Sequence, residues 1–142
     1  MVDEGMTEAL ERVVIGSVAI TTLALAEAGL DITFPQWRVL VVAGGSADGA
    51  TVSEIAARIG SAVSPASKLV TRLERRGFVI GAKDPVDRRV TRVRVTDAGR
   101  ELRARVIDRR REYLRRIAGT VSAPPESEHF LERLAEAFAE YA

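Results

Sequence analysis

The stretch from Lys83 to Gly99 constrains the fold of this chain most, because it has the pattern of a tight charged turn between two strands. Asp84-Pro85 is a turn dipeptide, since proline fixes φ and aspartate accepts hydrogen bonds from the backbone two residues on. After the turn, Val93 and Val95 alternate with arginines, as in a half-buried strand. Thr96 follows as a helix cap. The segment therefore predicts a β-hairpin with a cationic tip and outer face.

An amphipathic basic helix precedes this hairpin. Leu69, Val70 and Leu73 form its predicted buried side, and Pro65 lies in its first turn whether Ser61 or Ser64 is the cap, a choice that the sequence leaves open. The opposite side is polar and basic, and its members are Ser64, Ser67, Lys68, Thr71, Arg72 and Arg75. Near the end of the helix, Arg75 and Arg76 are better placed to contact phosphate than base edges. A basic helix followed by a basic hairpin suggests a winged helix-turn-helix.

Helices are predicted on both sides of this region. Capping boxes at Thr33-Phe34-Pro35-Gln36 and Thr51-Val52-Ser53-Glu54 begin two short helices, with a polar loop over residues 46–50 between them. Longer apolar-striped helices span residues 6–29, 97–118 and 126–141. We therefore predict one mainly α domain over residues 1–142, with a small β-hairpin wing. Residues 33–96 form the winged helix-turn-helix, and residues 6–30 and 97–142 form dimerisation helices.

The terminal helices carry too many apolar side chains to be left exposed to solvent. A second copy of the chain would cover them in a C₂ dimer, and the alternative is that the first and last helices pack on each other within one chain. The longest uncharged stretch, residues 13–26, falls short of the roughly 20 residues that span a bilayer. We therefore expect no membrane association, and the acidic N-terminus argues against export, so the expected location is the cytoplasm.

Charge is strongly segregated along the chain. Residues 50–116 hold 18 of the 21 Lys and Arg but 8 of the 20 Asp and Glu, a net charge of +10, whereas the flanking residues carry −9. Such asymmetry favours a basic face for nucleic acid, with acidic segments elsewhere. The chain has no cysteine and one histidine, His129, so thiolate and cysteine redox sites are excluded and a transition-metal site or other cofactor is not expected.

The basic helix and the cationic hairpin are typical of a protein that binds double-stranded DNA. A helix that enters the major groove needs small or polar outward side chains, which the basic helix has. The hairpin tip would enter the minor groove, where arginine is favoured, with Arg88 as the first candidate and Arg89 as the second. Asp87 is expected to pair with an arginine and fix the shape of the loop. The competing interpretation, that these charges only form a solvated face, weakens when the helix and the hairpin are taken together.

The order of these motifs resembles the MarR-type transcriptional regulators. The resemblance rests on Pro35-Gln36-Trp37-Arg38-Val39-Leu40, on Leu73-Glu74 with Gly77, on Asp87-Arg88-Arg89, and on Thr96 with Gly99. It implies an obligate homodimer that binds a pseudo-palindromic operator, as a repressor. It also implies release by a small aromatic or anionic effector bound between the dimer region and the DNA-binding region. Trp37, Arg38 and Tyr113 are the candidate ligand contacts there, but the residues themselves favour a core position for Trp37, a solvated Arg38 and a packed Tyr113.

Two other functional classes fit the sequence less well. A winged helix used for protein–protein contact alone, without a DNA target, would need apolar anchors on the outward face rather than arginines and hydroxyls. An enzyme would need a nucleophile–base pair, a metal cluster or a phosphate-cradling glycine loop, and the sequence offers none of these. We therefore expect a DNA-binding regulator that is not an enzyme.

Overall fold

A computed structural model describes residue 1 and residues 3–142. In this part of the chain six helices and three short strands follow one another. They are α1 (Glu4–Glu27), α2 (Phe34–Ala43), β1 (Ala50–Thr51), α3 (Val52–Ile59), α4 (Val63–Arg75), β2 (Val79–Lys83), β3 (Thr91–Val95), α5 (Asp97–Ala118) and α6 (Ser127–Ala139). The predicted mainly helical fold with a small β wing is confirmed.

Local side-chain chemistry begins three of these helices where the sequence predicts. Thr33 and Gln36 form a complete capping box at α2, and Thr51 and Glu54 form a second one at α3. Thr96 accepts a hydrogen bond from the Gly99 amide at the start of α5. Each cap satisfies amide groups that would otherwise lack a partner in the first helical turn.

The sheet contains one strand that the sequence analysis assigned to a loop. β1 pairs antiparallel with β3 through Ala50 opposite Val93, and β2 pairs with the other edge of β3. Gly49 permits this approach: its φ is +76°, and a Cβ there would lie 2.2 Å from the Val93 carbonyl oxygen. Two residues are too few for an alternating pattern, so only the partner strand reveals β1.

The core joins the hairpin to the helices behind it. Leu40 of α2, Ile55 of α3, Leu73 of α4 and Val93 of β3 are almost completely buried. Leu102 and Val106 bring the first half of α5 into the same core, and Ala24 and Leu25 bring in the end of α1. This packing fixes α4 and the hairpin relative to each other, so that they form one rigid unit.

The terminal helices leave much apolar surface uncovered. Large apolar side chains that are roughly half exposed or more lie on α1, on the second half of α5 and on α6; they include Val13, Ile15, Val18, Leu23, Leu114, Ile117, Phe130, Leu131 and Phe138. No residue of α6 is buried. A single copy therefore does not bury these helices, and the alternative in which the first and last helices cover each other does not account for them.

The expectation that the first apolar segment is too short to cross a membrane was wrong as stated. Among the described residues, α1 with its 24 residues is long and apolar enough, by length and composition, to do so. The uncharged stretch is shorter than the helix because Glu4, Glu8, Glu11 and Arg12 fall in its first turns. Length and composition alone are weak evidence for a membrane span, because a helix that packs in a soluble protein can have both.

Candidate nucleic-acid interface

Helix α4 begins differently from either predicted start. Its N-cap is Ala62, which makes no side-chain cap, so neither Ser61 nor Ser64 caps it. A cap oxygen accepts from the second or third helical amide, and the third helical residue is Pro65, which has no N–H. The Ser61 hydroxyl instead donates to the Ala62 carbonyl at 2.8 Å. The first amides of α4 are thus left without a side-chain cap.

The outward side of α4 is the one that the sequence predicts. Ala66, Val70 and Leu73 are buried, and Leu69 is half-buried beside them. Of the predicted contact residues, Thr71 is half-buried and donates its hydroxyl to the Ser67 carbonyl at 3.0 Å; the others, Ser64, Ser67, Lys68, Arg72 and Arg75, are exposed. Residues 67, 68, 71, 72 and 75 line one shallow depression. We call this set, together with Ser64, the α4 surface.

Asp84 organises the tip of the wing, the segment between β2 and β3. Its carboxylate accepts hydrogen bonds from the amides of Val86, at 2.8 Å, and Asp87, at 3.1 Å. Arg92 Nε donates to the other carboxylate oxygen at 2.6 Å. The hydrogen bond from Arg92, followed by those from the two amides, lowers the pKa of Asp84 to about 2. A carboxylate that stays ionised thus holds the loop to its own return strand.

The two arginines at the tip have different surroundings. Arg89 donates from Nε and Nη2 to Asp87 at 3.1 and 3.3 Å, which lowers the pKa of Asp87. The expected pairing of Asp87 with a wing arginine is therefore present in the structure. Arg88 is exposed, and no carboxylate among the described residues pairs with it. Arg88 is thus the tip cation with its full charge available.

Arg76, which the sequence predicts as a phosphate contact alongside Arg75, instead links the end of α4 to the α1–α2 loop. Its Nη1 donates to the Asp31 carbonyl at 3.0 Å and its Nη2 to the Leu30 carbonyl, and the guanidinium lies 5.2 Å from the centre of the Phe78 ring. These contacts direct Arg76 inward, away from the α4 surface. In the sequence it is indistinguishable from its neighbour Arg75, because the acceptors are backbone carbonyls some 45 residues away.

The three predicted effector residues do not share a cavity. Trp37 is 3% exposed and belongs to the core. Arg38 is half-buried and donates to the Arg58 carbonyl at 3.1 Å. Tyr113 lines a cavity of 310 Å³ together with Glu27, Arg109, Glu112 and Arg116. Its hydroxyl donates to Glu27, and this hydrogen bond raises the pKa of Tyr113.

A larger cavity lies where α1 meets α2. It measures 460 Å³ and is bordered by Thr22, Leu25 and Ala26 of α1 and by residues 31–34 of the following loop and α2. The same loop receives the hydrogen bonds of Arg76 from the end of α4. Sequence analysis missed this cavity because it depends on the path of the α1–α2 loop, in which Asp31 has a φ of +49°.

Comparisons with known proteins agree with this architecture. A family model described as MarR family matches residues 30–90. The HTH-type transcriptional repressor IacR of Pseudomonas putida is 33% identical over 87 residues, which cover 61% of this chain and 52% of that protein. The chain thus spans about half the length of the curated relatives it matches.

Two solved structures extend the similarity to almost the whole chain. Rv1404 of Mycobacterium tuberculosis is 27% identical, with a TM-score of 0.79, and the match covers 99% of this chain and 95% of that one. CouR of Rhodococcus jostii RHA1, solved with p-coumaroyl-CoA bound, is 28% identical, with a TM-score of 0.67, over 96% of this chain and 92% of that one.

Proposed function

We propose that the chain is a member of the MarR family of winged helix-turn-helix proteins and acts as a homodimeric transcriptional repressor of a pseudo-palindromic DNA operator; the family model over residues 30–90 and the similarity to Rv1404 support this proposal. The observation that carries the proposal is the shared rigid core behind α4 and the wing. It fixes a polar, basic helix face and a cationic loop as one unit.

In this proposal the α4 surface enters the major groove. Lys68 and the serine hydroxyls present donors to base edges, and Arg72 and Arg75 neutralise phosphates on the groove walls. The uncapped first amides of α4 add donors for a phosphate, which the partial positive charge of a helix N-terminus favours. Discrimination comes from base contacts, and most of the affinity comes from phosphate neutralisation.

The wing would contact the adjacent minor groove through Arg88. A narrow minor groove concentrates negative potential, and a guanidinium loses its hydration there more readily than an ammonium group. Asp84 supports this role by holding the loop shape, and Asp87 with Arg89 forms a nearly neutral pair beside Arg88. Arg88 is therefore the residue proposed to enter the minor groove, whereas Arg89 remains paired with Asp87 beside it.

Dimerisation is proposed to bury the exposed apolar side chains of α1, α5 and α6. A monomer seldom leaves so many large apolar residues uncovered, and a C₂ pair is the commonest way to cover such a surface. Two-fold symmetry would then place the two α4 surfaces about 10 base pairs apart on one side of the duplex. A soluble cytoplasmic dimer also accounts for the apolar character of α1 without a membrane.

We further infer that a small aromatic or anionic effector controls DNA binding. Support comes from the 460 Å³ cavity between α1 and α2, whose size suits a small ligand. Its loop is attached through Arg76 to the end of α4. A ligand that shifts this loop would tilt the α4 surface. Since Trp37 is closed within the core, Tyr113 and the α1–α2 cavity are better candidates for ligand contact than Trp37.

Selection of genomic fragments by the purified protein, followed by sequencing, tests the proposal. We expect enrichment of fragments that share an inverted repeat with half-sites about 10 base pairs apart. Absence of enrichment at low salt would refute it and favour the alternative of a winged-helix module for protein–protein contact.

A further inference from the structure

A third cavity lies between the end of α2 and the start of α5. It measures 360 Å³ and is bordered by small residues around the end of α2, by Arg94 and Val95 at the end of β3, and by Arg100 and Arg103 of α5. Three arginines thus line one small space, and no aspartate or glutamate is among its lining residues. No residue of the α4 surface or the wing tip borders it.

The structure fixes these arginines through backbone carbonyls. Arg100 Nη1 donates to Val95 at 2.9 Å, Arg103 Nη1 to Gly44 at 3.3 Å, and Arg94 Nε to Asp48 at 3.4 Å. Carbonyl acceptors orient a guanidinium without cancelling its charge. The one carboxylate in contact is that of Asp97, which pairs with Arg100 and is itself largely exposed. Among the described residues, Arg94 and Arg103 thus have no carboxylate partner, whereas Arg100 is paired with Asp97.

Arg103 is incompletely satisfied within the chain. Its Nε is buried and has no hydrogen-bond partner among the described residues. A buried N–H without a partner costs about 1–3 kcal/mol, and native structures rarely leave one without a reason. Gly44 lies against this guanidinium: a Cβ at residue 44 would lie 1.9 Å from Arg103 Nη1, so an alanine there would displace the end of the arginine side chain.

Two other features of the cavity favour an anion. The N-terminus of α5 lies at its edge, next to Val95 and Arg100, and contributes partial positive charge. The Ser46 hydroxyl also borders it; its oxygen accepts from the Asp48 amide at 3.2 Å, which leaves its own proton available to donate. The negative end of α2 is opposed by the hydrogen bond from Arg103 to Gly44.

From this geometry we propose that the three-arginine cavity binds a small polyvalent oxyanion. The ligand would carry a phosphate group or two or more carboxylates, because forked guanidinium groups match both in a bidentate manner. The cavity is lined by residues at the end of α2, in β3 and in α5, so a bound anion would link these three elements through shared hydrogen bonds. This site is separate from the α1–α2 cavity and does not depend on the proposed DNA binding.

Isothermal titration of the free protein with pyrophosphate and with citrate, at constant ionic strength and without DNA, tests the site. We expect a Kd of about 1 mM or tighter for at least one of the two anions. A lower Kd for pyrophosphate than for citrate would indicate a phosphate site, and the reverse would indicate a carboxylate site. Arg103→Gln and Arg100→Gln should each raise this Kd about tenfold or more, as expected for loss of charge-assisted hydrogen bonds. Arg105→Gln removes the same charge from an exposed site on α5 outside the cavity and should leave the Kd unchanged.

Gly44→Ala provides a second variant that keeps all three cations. Its methyl group would displace the Arg103 guanidinium, so anion affinity should fall as in Arg103→Gln. Thermal melting followed by circular dichroism checks that each variant is folded. The proposal is overturned if neither anion binds the wild-type protein, or if Arg105→Gln weakens binding as much as Arg103→Gln. It is also overturned if Arg100→Gln and Arg103→Gln lower the salt dependence of DNA binding, because these arginines would then contact DNA.

Discussion

Replacement of Arg88 with alanine tests the proposed wing contact directly. Arg88 is exposed and unpaired among the described residues, whereas Arg89 is held by Asp87. A dimer carries two copies of Arg88. If each contact contributes about 1–3 kcal/mol, the variant loses about 2–6 kcal/mol per dimer, which raises the Kd about 30-fold or more. Loss of two phosphate-neutralising charges also reduces the slope of log Kd against log salt by about 2.

The assay is fluorescence anisotropy with a labelled operator duplex at several salt concentrations. Arg88→Lys keeps the charge but loses the planar guanidinium, so the salt slope should be retained while part of the affinity is lost. Arg133→Ala removes one exposed charge on α6, outside the reading head, and should change neither quantity. If Arg88→Ala leaves both the Kd and the slope at the wild-type values, the assignment of the wing tip to the minor groove is incorrect.

Three further predictions follow from the same structure. Asp84→Asn should destabilise the protein at neutral pH. Because the folded-state pKa of Asp84 is lowered to about 2, the difference in free energy of unfolding between wild type and variant should shrink as the pH falls from about 4 toward 2, measured by denaturant titration. Gly99→Ala should destabilise by about 1–3 kcal/mol, since its Cβ would lie 2.1 Å from the Phe78 carbonyl oxygen, and thermal melting checks this. Leu114→Glu should shift a dimer to monomers in sedimentation experiments, because it puts a charge on the apolar face.

Each of these predictions has an outcome that would contradict it, and the last two also have a control variant. A stability difference for Asp84→Asn that stays constant down to pH 2 would contradict the ionised role of Asp84. Gly119→Ala, at the other end of α5, meets no heavy atom closer than 3.4 Å and should be tolerated; equal effects of the two glycine variants would refute the packing argument. Val86→Glu adds the same charge to the exposed wing and should leave the dimer intact. Dissociation by Val86→Glu as well would remove the support for the α5 face.

Sequence patterns predicted the helices and strands that are determined by residues close together in the chain. The capping boxes at Thr33 and Thr51, the cap at Thr96 and the alternation of Val93 and Val95 each depend on residues a few positions apart. Their helices and strands therefore appear where the sequence places them. The start of α4 was missed for a local reason too: Pro65 removes one of the two amides that a cap oxygen can bind, so the usual preference for serine at the N-cap is weakened and Ala62 occupies that position.

Features that depend on distant parts of the chain were not predictable in this way. β1 exists only through its pairing with β3, and Arg76 differs from Arg75 only because the Leu30 and Asp31 carbonyls lie within its reach. The favoured core position of Trp37 is confirmed, but the sequence could not separate it from the ligand contact that the resemblance suggests, because tertiary packing decides between them. The three-arginine cavity likewise combines residues of α2, β3 and α5, and nothing in any one segment indicates it.

The stoichiometry and footprint of the DNA complex test the central claim most directly. Sedimentation of the protein with a selected operator duplex should give two chains per duplex, and hydroxyl-radical footprinting should show two protected segments about 10 base pairs apart on one side of the DNA. A complex that contains one chain, or a single protected segment, would contradict the account of two symmetric reading heads.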